Sequence, residues 1–212
     1  MDERDFELRA VTYRLFAEGG RAPAAADVAH VAGISAEDVL VGWRRLHDQH
    51  ALVLNAASTA LLMANPFSAV PTAFRVQADG RSWFANCAWD AFGICAALHV
   101  DGRIEASCPD CGEPVIVEVC DERPDDETLL FHVLVPAARW WDDIVFTWSE
   151  EHITRWLGGR EPGATIPVTK LSELAYAWWS DRLPPDWRPH TREQNQAVLD
   201  RLGLVGSFWQ LP

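Results

Sequence analysis

Two side chains near the middle of the chain have the types and spacing to do chemistry together. Cys87 and Asp90 stand three residues apart in Trp-Phe-Ala-Asn-Cys-Ala-Trp-Asp-Ala-Phe-Gly-Ile-Cys, residues 83–95. On a helix, that spacing sets a thiol and a carboxylate side by side. Trp83, Phe84, Trp89, Phe92 and Ile94 would wall the pair off from water. A carboxylate in such a place is unfavourable unless it is paired or protonated. A thiol beside it is a soft metal ligand and a nucleophile. The run also fits a plain core helix, with a packed cysteine and an aspartate that caps or pairs locally.

A second thiol cluster lies downstream. Cys108-Pro-Asp-Cys111-Gly is a C-x-x-C knuckle, half of a zinc site. Neither a second C-x-x-C nor an H-x3-5-H follows, so Zn(II) at Cys108 and Cys111 would need Cys95, Cys120 or His132 brought in by folding. A redox role fits less well, because no thioredoxin-like strand precedes the knuckle. The chain has no G-x-S-x-G elbow, P-loop, G-x-G-x-x-G or H-E-x-x-H, and its seven histidines are scattered without a Cys–His spacing. Thiols with a carboxylate in a sealed apolar site suit soft-metal chemistry, since thiolates prefer polarisable metals.

These residues must be positioned by the surrounding elements. Residues 3–18 read as a helix stopped at Gly19-Gly20, and Ala24–Ala32 as a short one with Val28 and Val31 inward. Ser35, with Asp38 three residues on, caps a third helix to about His47. Leu52–Leu54 and Thr59–Met63 read as two strands. Three short helices and a two-stranded wing follow the order of a winged helix-turn-helix. Asn65-Pro66-Phe67-Ser68 with Pro71 reads as a linker. Phe74–Val76 is a strand, and Asp79-Gly80 turns the chain into Arg81–Phe84. The organising helix then runs to about Leu98. Further strands are expected at 103–107, 115–119 (apolar enough for burial on both faces), 129–135 and 144–148. Helices are expected at 149–157, 171–183 and from Thr191 to about Leu202. Short strands in succession with helices outside predict an α+β fold: a winged-helix-like domain at 1–64, a linker and first core strand at 65–80, and a mixed or antiparallel sheet core with flanking helices at 81–212.

The net charge of −13 argues against nucleic acid as the main partner, since affinity there comes from Lys and Arg on phosphates. Arg44, Arg45 and His47 on the third helix stand among Glu37, Asp38 and Asp48. No apolar run approaches a membrane span, and no secretory signal opens the chain, so a cytoplasmic location is expected. Five cysteines in a reducing compartment are thiols or ligands rather than staples. Eleven tryptophans fit a core of large aromatics, with a homodimer interface as the alternative use.

The order of a winged helix, a linker, a strand, Trp83 to Phe92, then a strand with Ser107-Cys108 and Gly112-Glu113-Pro114-Val115, resembles the organomercurial (alkylmercury) lyase family. The likeness extends over roughly residues 5–160, and Cys87-Ala-Trp-Asp90 is its most specific part. Members cleave the carbon–mercury bond by protonolysis, using two cysteines and one aspartate. They release a hydrocarbon and mercuric ion. The resemblance implies that Cys87 attacks mercury, and that Asp90 relays the proton to the leaving carbon and then helps to hold the metal. Trp83, Trp89, Phe92 and Thr147 would line a pocket for an apolar organometallic. No cofactor is required, and Hg(II) is a product. The chain departs from the family at its second catalytic cysteine. Thr147 stands at that place, and no cysteine follows Cys120. A second thiol would have to come from Cys108, Cys111 or Cys120, since Cys95 is two helical turns from Cys87. The expected function is carbon–mercury cleavage or a related small-molecule lyase reaction. The alternatives are a thiol-based binder of a soft metal or small ligand, using Cys87 with Cys108 and Cys111, and a winged-helix metal-responsive regulator.

Overall fold

The structure, a computed structural model, describes residues 1–133, 144–147 (backbone), 155, 158 and 163–212. Three helices open the chain: α1 (Glu3–Gly19), α2 (Ala25–Ala32) and α3 (Ala36–Asp48). Their ends follow from local chemistry. The Asp2 side chain accepts from the Asp5 amide, Gly20 closes α1 in a left-handed conformation, and Ser35 Oγ accepts from the Asp38 amide at 3.0 Å. Tyr13, Phe16, Val39, Trp43 and Leu46 are buried between these helices. Val31 is exposed, against the inward placement expected for it: in a helix of two turns, Val28 and Ala29 suffice to cover the contact. Trp43 donates its Nε1–H to Thr12 Oγ1 at 2.9 Å, and Thr12 passes its own proton to the Leu8 carbonyl at 2.8 Å. Trp43→Phe shortens a fully buried side chain and strips that hydroxyl of its donor. The expected cost is about 2 kcal/mol, read from urea unfolding.

The strands are β1 (Val53–Leu54), β2 (Leu61–Ala64), β3 (Phe67–Ser68), β4 (Phe74–Ala78), β5 (Arg81–Ala85), β6 (Gly102–Ser107), β7 (Pro114–Cys120) and β8 (Arg123–Pro124). They form one eight-stranded sheet in the order β1-β2-β3-β5-β4-β6-β7-β8. Every described pairing is antiparallel, so the α+β expectation resolves to an antiparallel core. The segment read as a linker carries the sheet across: Met63 pairs with Ser68, Ala64 with Phe67, and Phe67 with Ala85. Strand β7 is buried on one face only. Val115, Val117 and Val119 point inward while Ile116 is exposed, which corrects the two-faced burial expected for it.

A second sheet, in the order β10-β9-β11, is built from β9 (Leu130–Val133), β10 (Ile144–Thr147) and β11 (Ala164–Pro167). Between the sheets lies α4 (Ala88–Leu98), every residue of which from Ala88 to Ala97 is buried. A helix that is apolar all round belongs in the middle of a core. It packs on β4, β5 and β6, on β10, and most extensively on α5 (Val168–Trp179). Helix α5 starts and ends several residues before the expected 171–183, because Pro167 opens it at its N-cap and the chain turns at Ser180. Helix α6 (Arg192–Arg201) is capped by Thr191 as expected. The expected helix at 149–157 and the pair Trp140-Trp141 lie outside the described residues. No described helix is long and apolar enough to cross a membrane.

Candidate functional site

Cys87 stands outside the helix, at its N-cap. Strand β5 ends at Ala85, Asn86 turns the chain, and Cys87 keeps an extended backbone (φ −153°, ψ −179°) while its carbonyl accepts from the Ala91 amide at 3.0 Å. Asp90 is then the third residue of α4, the position at which a cap residue and a helical side chain meet. The thiol reaches the carboxylate, with Cys87 Sγ 3.6 Å from Asp90 Oδ2. The pair foreseen on one helical face is therefore formed across a helix start.

Burial governs the electrostatics of the pair. Asp90 is almost completely buried, and burial lifts its carboxyl to about 7, against hydrogen bonds from Asn86 and Cys87 and the positive charge of Arg182. The helix N-terminus also favours the carboxylate, by up to about 2 kcal/mol, yet desolvation outweighs all of these. The Cys87 thiol is pushed well above its usual value, first by burial and then by the charge of Asp90. Near neutral pH, Cys87 is a protonated thiol beside a carboxyl that can either take or give a proton.

The surroundings come from distant parts of the chain. The Asn86 amide donates to Asn65 Oδ1 at 3.0 Å, which ties the site to the turn before β3. Trp89 packs edge-on to Trp178, at 5.2 Å between ring centres, and against Trp179 at 5.7 Å. Phe92 is fully buried. Trp179 lies on Gly93, one turn beyond Asp90, so closely that a Cβ at 93 would come within 2.5 Å of its Cδ1. The Arg182 guanidinium sits over Trp179 at 5.0 Å and over Trp187 at 4.5 Å. Asn86, Trp179 and Arg182 were not singled out from sequence as site residues. Asn86 could have been, from its place next to Cys87; Arg182 had no local signal.

Trp83 faces elsewhere. Its Nε1–H donates to the Ala17 carbonyl at 3.0 Å, and it lines a cavity of about 550 Å3 with Val11, Leu98 and Leu183. Thr147 pairs with Leu130 at the end of β10, the strand of the second sheet that packs on α4; its side chain lies outside the described residues.

The five cysteines are all thiols, and the fold sorts them. Cys95 is a core residue whose sulfur packs on Gly102, where a Cβ would meet it at 2.8 Å; burial pushes its thiol up to about 12. Arg75 pairs with both Phe84 and Glu105, so β5 and β6 run in the same direction on either side of β4. Cys87 and Cys108 therefore leave the same end of the sheet, each two residues beyond a level row at Ala85 and Ala106. With adjacent strands ~4.8 Å apart, those two strand ends are about 10 Å from each other. Cys120 closes β7 at the opposite end of the sheet, roughly 20 Å along the strand. Cys108 and Cys111 share the tip of the β6–β7 hairpin. Among the described residues, no group of three or more His, Cys, Asp or Glu side chains is placed to hold a metal ion.

Comparison with known proteins bears on this arrangement. No curated protein matches the chain. Ten solved chains do, among them MerB2 in a mercury-bound crystal structure, with a TM-score of 0.62 and 22% identity over 85% of this chain and 96% of that one. At that identity the likeness speaks for the fold. The sequence model of MerB, alkylmercury lyase, matches residues 67–180, from β3 to the end of α5. That stretch is more than half of the 212 residues and holds Cys87, Asp90 and Thr147. By that match, the chain belongs to the alkylmercury lyase family.

Proposed function

We propose that this protein cleaves the carbon–mercury bond of small apolar organomercurials by protonolysis, with Cys87 and Asp90 as its reacting groups. The observation that carries this reading is the part-buried thiol–carboxyl contact at the start of α4, with the Asp90 carboxyl at about 7. The Cys87 thiol is a poor nucleophile while protonated, so capture needs a base, and Asp90 stands at its sulfur. As Cys87 Sγ bonds to the mercury of R–Hg–X, its S–H bond breaks, the proton passes to Asp90 Oδ2, and X leaves as the anion. The Hg–C bond then breaks with its electron pair going to carbon, and the same proton moves from Asp90 to that carbon. R–H departs, and mercuric ion stays on the Cys87 thiolate beside the restored Asp90 carboxylate. This is general acid–base catalysis by one group in two directions.

The apolar surroundings suit the substrate. Trp89, Phe92, Trp178 and Trp179 offer hydrocarbon and aromatic surface to a methyl or phenyl group. They also exclude the water that would return the Asp90 carboxyl to its ordinary range. Threonine at 147 contributes no thiolate, so a second sulfur for the mercury has to come from elsewhere on the chain or from solution.

The test is release of benzene from phenylmercuric acetate by purified protein with excess thiol, followed by gas chromatography. Stoichiometric and then repeated release is expected. No release, with mercury retained on the protein, overturns the reading in favour of a thiol-based binder.

A further inference from the structure

We propose that the Cys108–Cys111 pair at the tip of the β6–β7 hairpin is a dithiol acceptor for mercuric ion, which takes the product from Cys87. The inference rests on the reading that Cys87 captures mercury, and it assigns the second stage of handling that ion. The hairpin is closed by two backbone bonds, Gly112 N–H to Cys108 O at 2.8 Å and Cys108 N–H to Glu113 O at 2.9 Å. Both thiols are thereby held in one tight turn, close enough to interact with each other. The turn is anchored from outside: Arg155 reaches Asp110 Oδ2 with Nε at 3.1 Å and Nη2 at 2.9 Å.

The ligand count points to the kind of ion. Zinc takes four ligands in a tetrahedron. Here the Glu113 carboxylate lies 3.6 Å from Cys111 Sγ, but no third side chain is placed to coordinate among the described residues. A pair of thiolates suits a soft ion satisfied by two sulfurs, as mercuric ion is. The exposure of the pair suits transfer. Cys108 is buried toward the end of the sheet that Cys87 also leaves, whereas Cys111 is exposed. One sulfur faces the protein and the other faces solvent.

The transfer balances without oxidant or reductant. Cys87–S–Hg⁺ beside the Asp90 carboxylate meets two thiols; two S–H bonds and the Cys87 S–Hg bond break. Two new Hg–S bonds form to Cys108 and Cys111, one proton returns to the Cys87 sulfur, and the other goes to the Asp90 carboxylate. The gain is chelation: the second thiolate binds intramolecularly, at high effective concentration, and so outcompetes single thiols in solution.

The test uses the full chain carrying Cys87→Ser, loaded with mercuric chloride, passed through excess glutathione and desalted, with mercury counted per chain. One retained ion is expected. It is lost on adding Cys111→Ser, which alters only an exposed turn position, and on adding Cys108→Ser; it is kept on adding Cys120→Ser. Retention in the Cys87→Ser/Cys111→Ser protein, or none in Cys87→Ser, overturns the proposal. A second arm treats the unsubstituted protein with one equivalent of phenylmercuric acetate and then alkylates it with iodoacetamide. Benzene release with Cys108 and Cys111 protected and Cys87 alkylated supports the transfer. Benzene release with the pair alkylated overturns the acceptor and leaves the lyase reading intact. No benzene, with mercuric chloride still held by the pair, overturns the lyase reading and leaves the dithiol site standing.

Discussion

Asp90→Asn protein takes up phenylmercury on Cys87 more slowly, for want of the base, but to the same final extent, and it releases benzene about 10²- to 10⁴-fold more slowly than the unsubstituted chain, the usual weight of a positioned acid–base group. Asparagine matches the carboxyl in shape and still accepts a hydrogen bond, but it cannot store the proton that has to reach carbon. Cys87→Ser, by contrast, loses uptake at position 87 and release together, so phenylmercury mapped to Cys87 beside benzene release separates the two roles. Uptake by the unsubstituted chain rises with pH through about 7, where the Asp90 carboxyl becomes the base that Cys87 needs. The Asp90→Asn protein lacks that rise.

The same substitution should stabilise the fold, in a pH-dependent way. The Asp90 carboxyl titrates at about 7 in the folded chain, against 3.8 for an ordinary aspartate. Below pH 4 it is neutral in both states and costs nothing. Between pH 4 and 7 the unfolded chain ionises while the folded one stays neutral, so stability falls as pH rises. Above 7 the cost levels off, at roughly 4 kcal/mol for a shift of that size. An asparagine side chain cannot ionise, so the Asp90→Asn protein escapes that cost. Urea midpoints of the two proteins should therefore diverge between pH 4 and 7, with the substituted protein higher, and run parallel above that. A gap that does not change with pH would show that Asp90 is not held neutral by burial.

Gly93→Ala is expected to destabilise the protein by about 2 kcal/mol, although alanine is the better helix former by about 1 kcal/mol. The added methyl would lie 2.5 Å from Trp179 Cδ1 and 2.7 Å from its Nε1, contacts that cannot stand. The indole is rigid and is held by Trp89 on one side and Arg182 on the other, so α4 and α5 must move apart. Because α4 carries Cys87 at its cap and Asp90 in its first turn, benzene release should fall with stability. Trp179→Leu removes the obstacle, and in its presence Gly93→Ala should cost little or become favourable. A double-mutant cycle in urea that shows no coupling between 93 and 179 would refute the close packing.

What could be read from the sequence was what is local. Cys87 and Asp90 are three residues apart, so almost any helix start brings them together, and the apolar run around them announced a buried helix. Turns and caps such as Ser35 with Asp38 were equally legible, because both partners lie within one turn. The faces of individual residues were harder. Val31 and Ile116 are as apolar as their buried neighbours, and only the neighbouring elements decide which side is covered. Arg182 and Trp179 are beyond any local signal: they reach α4 because α5 packs along it, a contact made across roughly ninety residues. The shared end of the sheet for Cys87 and Cys108 depends on the register of β4 against both β5 and β6, and sequence spacing does not carry register.

The ladder that runs unbroken from β1 to β8 bears on how the first 64 residues can serve the rest. A reading head that reported metal by swinging on a tether would need a joint after β2. The Met63–Ser68 and Ala64–Phe67 pairs occupy that place, and Phe67 pairs in turn with Ala85, two residues before Cys87. The first 64 residues are thus joined to the sheet that carries Cys87 by backbone pairing and not by a tether.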